Sequence, residues 1–294
     1  MNKNNNTGPS VGDVLGEIGK ELEGEESQVS PYIAERKEVK GVKLLEQVQS
    51  GKQPAPRRVM LYGTQGIGKS TFGSMAPKPI FIQTEDGLGE IDCKKFPLAE
   101  KFDQVIAALS ELYTEEHPYR TVVVDSLDWL ERLIWYEVCR KRGVESIEDI
   151  GFAKGYTFAL MQWRQFLEGL TALRNERGMM VLLIAHAKIE RFENPETDSY
   201  DRYAPRLHKL ASALVQEWCD EVLFASYKVY TKVTDEGFNR KKAKGCGTGE
   251  RVIRTTERPA HVAKNRLNLP DELPLDWNAY AQYLPKPNGG DKND

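Results

Sequence analysis

From Arg57 onward, short unbroken apolar runs alternate with longer stretches whose apolar positions recur every three to four residues. The first kind reads as strands buried on both faces, the second as helices with one apolar stripe. Strands are predicted over 57–62, 79–84, 120–125, 179–185 and 221–226, and helices over 69–75, 101–113, 127–142 and 157–177. The helix at 69–75 must be short, because Pro77 and Pro79 follow closely. This alternation predicts an α/β fold, with a mostly parallel central sheet and crossover helices on its faces.

Outside that alternating region the pattern changes. Residues 1–30 are rich in Asn, Gly, Ser and Glu, with six acids against two lysines. Val11, Val14, Leu15, Ile18 and Leu22 have rough helical spacing, so the segment reads either as a disordered acidic tail or as a short amphipathic helix for a protein partner. Residues 31–50 are predicted helical from Val39, Val42, Leu44, Leu45 and Val48, and Gly51 to Pro56 forms a linker. The expected division is an N-terminal extension over 1–53, a core over 54–285, and a disordered tail over 286–294.

Composition narrows the class. The 294 residues are 40% hydrophobic and 29% charged, as in ordinary globular proteins. No stretch approaches bilayer-spanning length, and the polar start does not resemble a signal peptide, so a cytoplasmic protein without membrane contact is expected. Cys93, Cys139, Cys219 and Cys246 lack C-x-x-C spacing, which argues against zinc and for reduced thiols.

The chemistry concentrates after the first strand. Gly63, Thr64, Gln65, Gly66, Ile67, Gly68, Lys69 and Ser70 satisfy G-x-x-x-x-G-K-[ST], followed by Thr71. Backbone N–H groups that converge on a pyrophosphate need turns free of Cβ atoms, hence the three glycines. In such a loop the lysine reaches the β- and γ-phosphates, the serine hydroxyl ligates Mg2+, and the following helix begins at the anion. The motif implies a bound nucleoside triphosphate.

Three further strand ends carry polar groups. Thr121 to Asp125 is an apolar strand with a terminal aspartate, the Walker B arrangement that holds Mg2+. Glu85 follows the second strand and reads equally as a water-activating base or as an acidic turn residue before Gly87. His186 follows the fourth strand and reads either as a γ-phosphate contact or as an ordinary histidine.

Two stretches are candidates for nucleic acid. Residues 187–211 read as a long irregular connection in which Lys188, Arg191, Arg202, Arg206 and Lys209 interleave with Phe192, Tyr200 and Tyr203. Five acids offset those five cations. Residues 226–266 hold eleven cations against four acids. There, strand-like Tyr227–Val233 and Arg251–Thr256 flank a Gly/Lys-rich turn with Arg240, Lys241, Lys242 and Lys244. The basic hairpin reads as a phosphate-backbone surface or as a solvated, flexible one. Val262 to Arg266 is expected to end a final strand.

With these parts in order, residues 55–285 resemble the RecA-like P-loop ATPase core, and more narrowly the phage-encoded RecA-like ATPases associated with recombination and single-strand annealing. The resemblance is carried by Val124-Asp125-Ser126, by His186 to Thr197, whose Asn194-Pro195-Glu196-Thr197 looks like the start of a RecA DNA-binding loop, and by Val262 to Leu267. Lys264-Asn265-Arg266 is also similar to the triplet of DnaB-type ring helicases. The resemblance implies that Glu85 polarises the attacking water and that His186 senses the γ-phosphate. It implies that Lys264 and Arg266 act in trans on a neighbouring subunit's ATP, and that residues 143–156 and 187–211 face DNA. An ATP- and Mg2+-dependent DNA-binding protein of phage-type recombination or annealing is therefore expected, single-stranded DNA being its partner and the nucleotide lying at a subunit interface. A ring translocase and a nucleotide-dependent protein switch without DNA are the alternatives.

Overall fold

A computed structural model of the chain describes residues 44–51, 53–152, 154–235 and 241–285. The expected helix between Val11 and Leu22, most of that over 31–50, Arg240 and the tail after 285 lie outside the described residues. The described part of 31–50, Leu44–Gln47, is a single 3-10 turn. The described residues from Ser50 onward form one compact unit.

Its elements are β1 (Arg58–Gly63), α1 (Lys69–Ser74), β2 (Pro79–Gln83), β3 (Lys94–Lys95), α2 (Phe102–Thr114), β4 (Thr121–Asp125), α3 (Leu127–Arg142), α4 (Lys154–Glu176), β5 (Met180–Phe192), β6 (Tyr200–Pro205), α5 (Lys209–Trp218), β7 (Glu221–Asp235), β8 (Lys241–Arg254), β9 (Glu272–Pro274) and α6 (Trp277–Ala281). The strand order is β3-β2-β4-β5-β1-β7-β8-β9, with β6 off this path and paired to β5. From β3 to β7 every neighbour is parallel; β8, β9 and β6 add antiparallel edges. This is the mixed α/β architecture with a mostly parallel central sheet that the alternating pattern predicts.

The central strands are apolar throughout because both sheet faces are covered. On one face Met60, Tyr62, Val122, Val124, Val181 and Leu183 pack beneath α2, α3, α4 and α5. On the other, Val59, Leu61, Val123, Leu182 and Leu223 pack with Phe72 of α1 and with Trp277 and Tyr280 of α6. Successive residues of one strand thus enter opposite cores, as the two-residue period of a strand requires. The strand bases are fastened by charge: Arg57 pairs with Glu221, and Arg58 with Asp220 at 2.9 Å. Helix α3 stops at Gly143, whose φ of 65° provides the left-handed cap, after a last turn holding Arg140, Lys141 and Arg142.

Three expectations need correction. The irregular connection over 187–211 is instead a hairpin followed by a helix: β5 continues to Phe192, β6 returns over Tyr200–Pro205, and α5 begins at Lys209. The Gly/Lys-rich stretch read as a turn belongs to β8, in register with β7 from Asp235↔Lys241 to Thr231↔Gly245 and beyond. The final strand near Val262–Arg266 is reduced to an isolated bridge between Val222 and Lys264. In each case neighbouring backbone supplies or withholds hydrogen bonds that local composition does not reveal.

Gly63 marks where β1 meets β7, opposite Ala225. A Cβ on Gly63 would lie 2.3 Å from the Ala225 carbonyl oxygen, and backbone cannot step aside. Gly63→Ala should therefore lower the thermal midpoint, costing roughly 1–3 kcal/mol as overpacking does. Gly87→Ala, where a Cβ meets nothing within 4 Å, is the neutral control. Equal midpoints for the two variants in a thermal melt would contradict this packing.

Candidate active site

The four parallel strands β2, β4, β5 and β1 end on the same side, and the polar groups that follow them form one row. Gln83 is in register with Asp125, Asp125 with Ile184, and Ile184 with Leu61. Glu85, Asp125, His186 and the loop after Gly63 therefore meet at the carboxyl edge, where open α/β sheets bind ligands.

The loop itself needs unusual backbone. Gly66 has φ 72° and Gly68 φ 108°, both in the left-handed range that side chains disfavour. Lys69 opens α1 and is almost fully buried. Its Nζ donates to the carbonyl oxygens of Gly63 at 3.3 Å and Thr64 at 3.0 Å. Burial pulls the Lys69 ammonium below its ordinary pKa, while Asp125, Asp128 and Glu85 pull the other way. Thr64 Oγ1 is buried in the same loop without a hydrogen-bond partner among the described residues.

Ser70 Oγ donates to Asp125 Oδ2 at 2.5 Å, so the loop serine and the strand-end aspartate stand side by side. Burial pushes the Asp125 carboxyl up, against the opposing pull of the Ser70 hydroxyl, and Glu85 adds to the rise. An oxygen pair of this kind fits Mg2+, which takes few protein ligands and completes its shell with phosphate and water.

Glu85 is brought to Asp125 by backbone: the N–H groups of Thr84 and Glu85 both donate to the Asp125 carbonyl oxygen, at 2.8 and 3.3 Å. Ser126 Oγ then donates to Glu85 Oε2 at 3.0 Å. His186 Nδ1 stands 3.8 Å from that same carboxylate oxygen. Glu85 and His186 thus both stand at the strand ends beside Asp125.

The other sequence-predicted cations divide into groups. Lys188 donates to the Leu207 carbonyl oxygen at 2.9 Å and lies 3.4 Å from Glu190. Arg202 pairs with Glu190 at 3.1 Å and stacks on Phe192. Arg206 donates to Asp128 at 2.6 Å, and Arg191 faces Asp201 at 3.5 Å with both side chains largely exposed. The β5–β6 hairpin is thus internally charge-balanced. Lys241, Lys242 and Lys244 occupy positions on β8 opposite Asp235, Thr234 and Lys232 of β7.

Lys264 and Arg266 lie toward the strand bases, away from the nucleotide loop of their own chain. Lys264 Nζ donates to the carbonyl oxygens of Gln216, Glu217 and Cys219, at 2.9, 3.0 and 2.6 Å, closing the end of α5. An ammonium has three donors, and all three are engaged. Arg266 is exposed and makes one long contact, 3.5 Å to Asp220.

Two residues near the site escape a reading of the sequence. Asp128, one turn into α3, contacts His186 and Arg206. Its only sequence signal is its three-residue spacing from Asp125, which an acidic first helical turn explains equally well. Arg251 of β8 donates to the Ile67 carbonyl oxygen of the loop at 3.3 Å, a contact across 184 positions that local sequence does not mark.

With this geometry in place, comparison with known proteins is informative. Residues 55–267 match the family described as an AAA domain, and the chain belongs to that family. It is accordingly a P-loop ATPase, the nucleotide loop and the strand-end aspartate both lying inside the matched span. One relative is the SPbeta prophage-derived uncharacterized protein YorG of Bacillus subtilis (strain 168), 25% identical over 174 residues. The aligned part is 57% of this chain and 50% of that protein, so the chain spans about half the length of the curated relative it matches. Among solved structures, that of the RadB recombinase is similar at 13% identity and a TM-score of 0.42, over 81% of this chain and 96% of that one.

Lys69→Ala should abolish triphosphate binding, because it removes the only cation within the loop Gly63–Ser70. Titration with a fluorescent ATP analogue checks this, and an unchanged affinity would refute the assignment of the loop.

Proposed function

We propose that this chain is a Mg2+-dependent ATPase that binds DNA, chiefly single-stranded, in phage-type homologous recombination or strand annealing within the host cytoplasm. The observation that carries the ATPase chemistry is the row of Glu85, Asp125 and His186 on neighbouring strand ends beside Lys69. Lys69 exchanges its two loop carbonyls for β- and γ-phosphate oxygens. Ser70 and Asp125 are the residues that would hold Mg2+, which would supply positive charge against the phosphates. Glu85, oriented by Ser126, accepts a proton from the attacking water. His186 contacts the γ-phosphate and registers its departure.

Binding to DNA is supported by where the unbalanced positive charge lies. Strand β8 carries Lys241, Lys242 and Lys244 toward one end, and near its other end Arg251 touches the nucleotide loop. One strand therefore links a cation-rich hairpin with the ATP site. On the β5–β6 hairpin, Arg191 is the most available cation; Lys188, Arg202 and Arg206 would exchange protein partners for phosphates. Phe192 and Tyr200 pair on the same hairpin and Tyr203 stacks on Phe224, so base stacking there would use the remaining ring faces, which favours single strands over duplex.

Self-association would place Arg266 of one subunit at the nucleotide of the next, supplying transition-state charge. Lys264 takes part only if it releases the end of α5, so Arg266 is the principal finger in this reading. The acidic segment 1–30 is the proposed contact for a protein partner.

The test is ATP turnover with and without single-stranded DNA at low salt. Turnover should rise with DNA, and binding should weaken as salt increases. Replacing Arg240, Lys241, Lys242 and Lys244 by Gln should weaken binding to all sequences alike and flatten the salt dependence by about 0.7 per lost phosphate contact. Arg266→Ala should retain nucleotide affinity while turnover collapses. If neither single-stranded nor duplex DNA raises turnover and no salt-sensitive binding occurs, the DNA reading fails in favour of a nucleotide-dependent protein switch.

A further inference from the structure

We propose that Asp128 is the positioning residue of the hydrolytic site: it fixes the His186 ring, keeps that ring off Glu85, and ties it to the root of the β5–β6 hairpin. The inference rests on the ATPase reading above and extends it to a residue outside the nucleotide loop and the strand-end row.

Asp128 is 5% exposed, and a buried carboxylate is tolerated only when its oxygens are well supplied with donors. The supply here comes from two residues. The His186 backbone N–H reaches Oδ1 at 3.1 Å, and ring Nδ1 lies 3.1 Å from both Oδ1 and Oδ2. Arg206 Nη2 reaches Oδ2 at 2.6 Å. The contacts leave the ring little rotational freedom, because backbone and imidazole of one residue are gripped by one carboxylate.

The reaction is affected in three ways. With Nδ1 committed to Asp128, Nε2 is the nitrogen left for a ligand, and it has no hydrogen-bond partner among the described residues. Glu85 Oε2 is 3.8 Å from the same Nδ1 and is the next available acceptor. Without Asp128 the ring is free to turn onto Glu85 and occupy the base that should receive a proton from water. Lastly, the Arg206 backbone N–H donates to the His186 carbonyl oxygen at 2.8 Å, and Ala187 is in register with Pro205 immediately beyond. A movement of His186 is therefore felt at both strands of the hairpin.

The experiment uses Asp128→Asn in the full chain, which conserves volume and removes the charge. The affinity for an ATP analogue and KM should stay within about threefold, while kcat falls on the order of 10- to 100-fold, as when the partner of a functional histidine is removed. Added to His186→Ala, Asp128→Asn should cause little further loss, because one residue acts through the other. The ring 15N resonances of His186 in nucleotide-free protein, assigned by their absence in His186→Ala, should move in Asp128→Asn. Arg206→Ala, at a half-exposed guanidinium, is the companion should Asp128→Asn not fold; it should lower kcat by a smaller factor with KM unchanged. Unchanged kcat in the folded variant, full additivity with His186→Ala, or unmoved ring resonances would overturn the proposal. A wild-type chain that hydrolyses no ATP would defeat the ATPase reading alone, since the ring resonances still report whether Asp128 holds His186.

Discussion

Parallel pairing of β2, β4, β5 and β1 is the constraint on which the site depends. Parallel strands in register end together, so groups far apart in the chain arrive on one edge without any loop having to carry them there. The close approach of β1 to β7 is part of the same constraint, since the chain must leave the sheet at Gly63 hard against the Ala225 carbonyl. Beyond Gly63 the chain enters a loop whose geometry depends on positive φ at Gly66 and Gly68. The sheet thus supports the loop as a scaffold supports a functional segment.

Electrostatics at this edge are unbalanced by the pattern of burial. Asp125, Asp128 and Glu85 surround Lys69, yet the carboxylates are treated differently. Asp125 has a single hydroxyl donor, and burial pushes its pKa up. Asp128 is buried too, but the hydrogen bonds of His186 and Arg206 overcome that burial and hold its carboxyl well below the usual range. A carboxylate that is costly to keep charged is one that gains from a cation; one already satisfied by protein donors gains nothing. The two therefore suit different tasks, Asp125 the metal and Asp128 the alignment of its neighbours.

How much of this is legible in the sequence depends on what each residue contacts. The central strands and α3 are readable because burial on both sheet faces demands apolar runs, and because Gly143 ends the helix by its own conformation. The glycine loop and the strand-end position of Asp125 are readable because a G-x-x-x-x-G-K-[ST] spacing and an apolar run are local features of the chain. The β5–β6 hairpin is not, since its alternating charges are matched across strands, as in Glu190↔Arg202, and look unpaired along the chain. The Gly/Lys-rich part of β8 is hidden, unlike its end from Arg251, because Gly and Lys disfavour strands locally while pairing with β7 decides the outcome. Lys264 is assigned by resemblance to a neighbour's nucleotide, yet α5, itself unforeseen, supplies the three carbonyls that engage it. Asp128 and Arg251 act through contacts that only the folded chain creates.

The central claim is that the glycine loop and the strand-end aspartate jointly hold a metal-bound triphosphate. The most direct measurement is a crystal grown with a non-hydrolysable ATP analogue and Mn2+ in place of Mg2+, located by anomalous scattering. The account predicts one peak in contact with Ser70 Oγ, with Asp125 beside it and Lys69 Nζ turned from the Gly63 and Thr64 carbonyls onto the phosphates. A peak elsewhere, or a nucleotide bound with Lys69 still on those carbonyls, would contradict it.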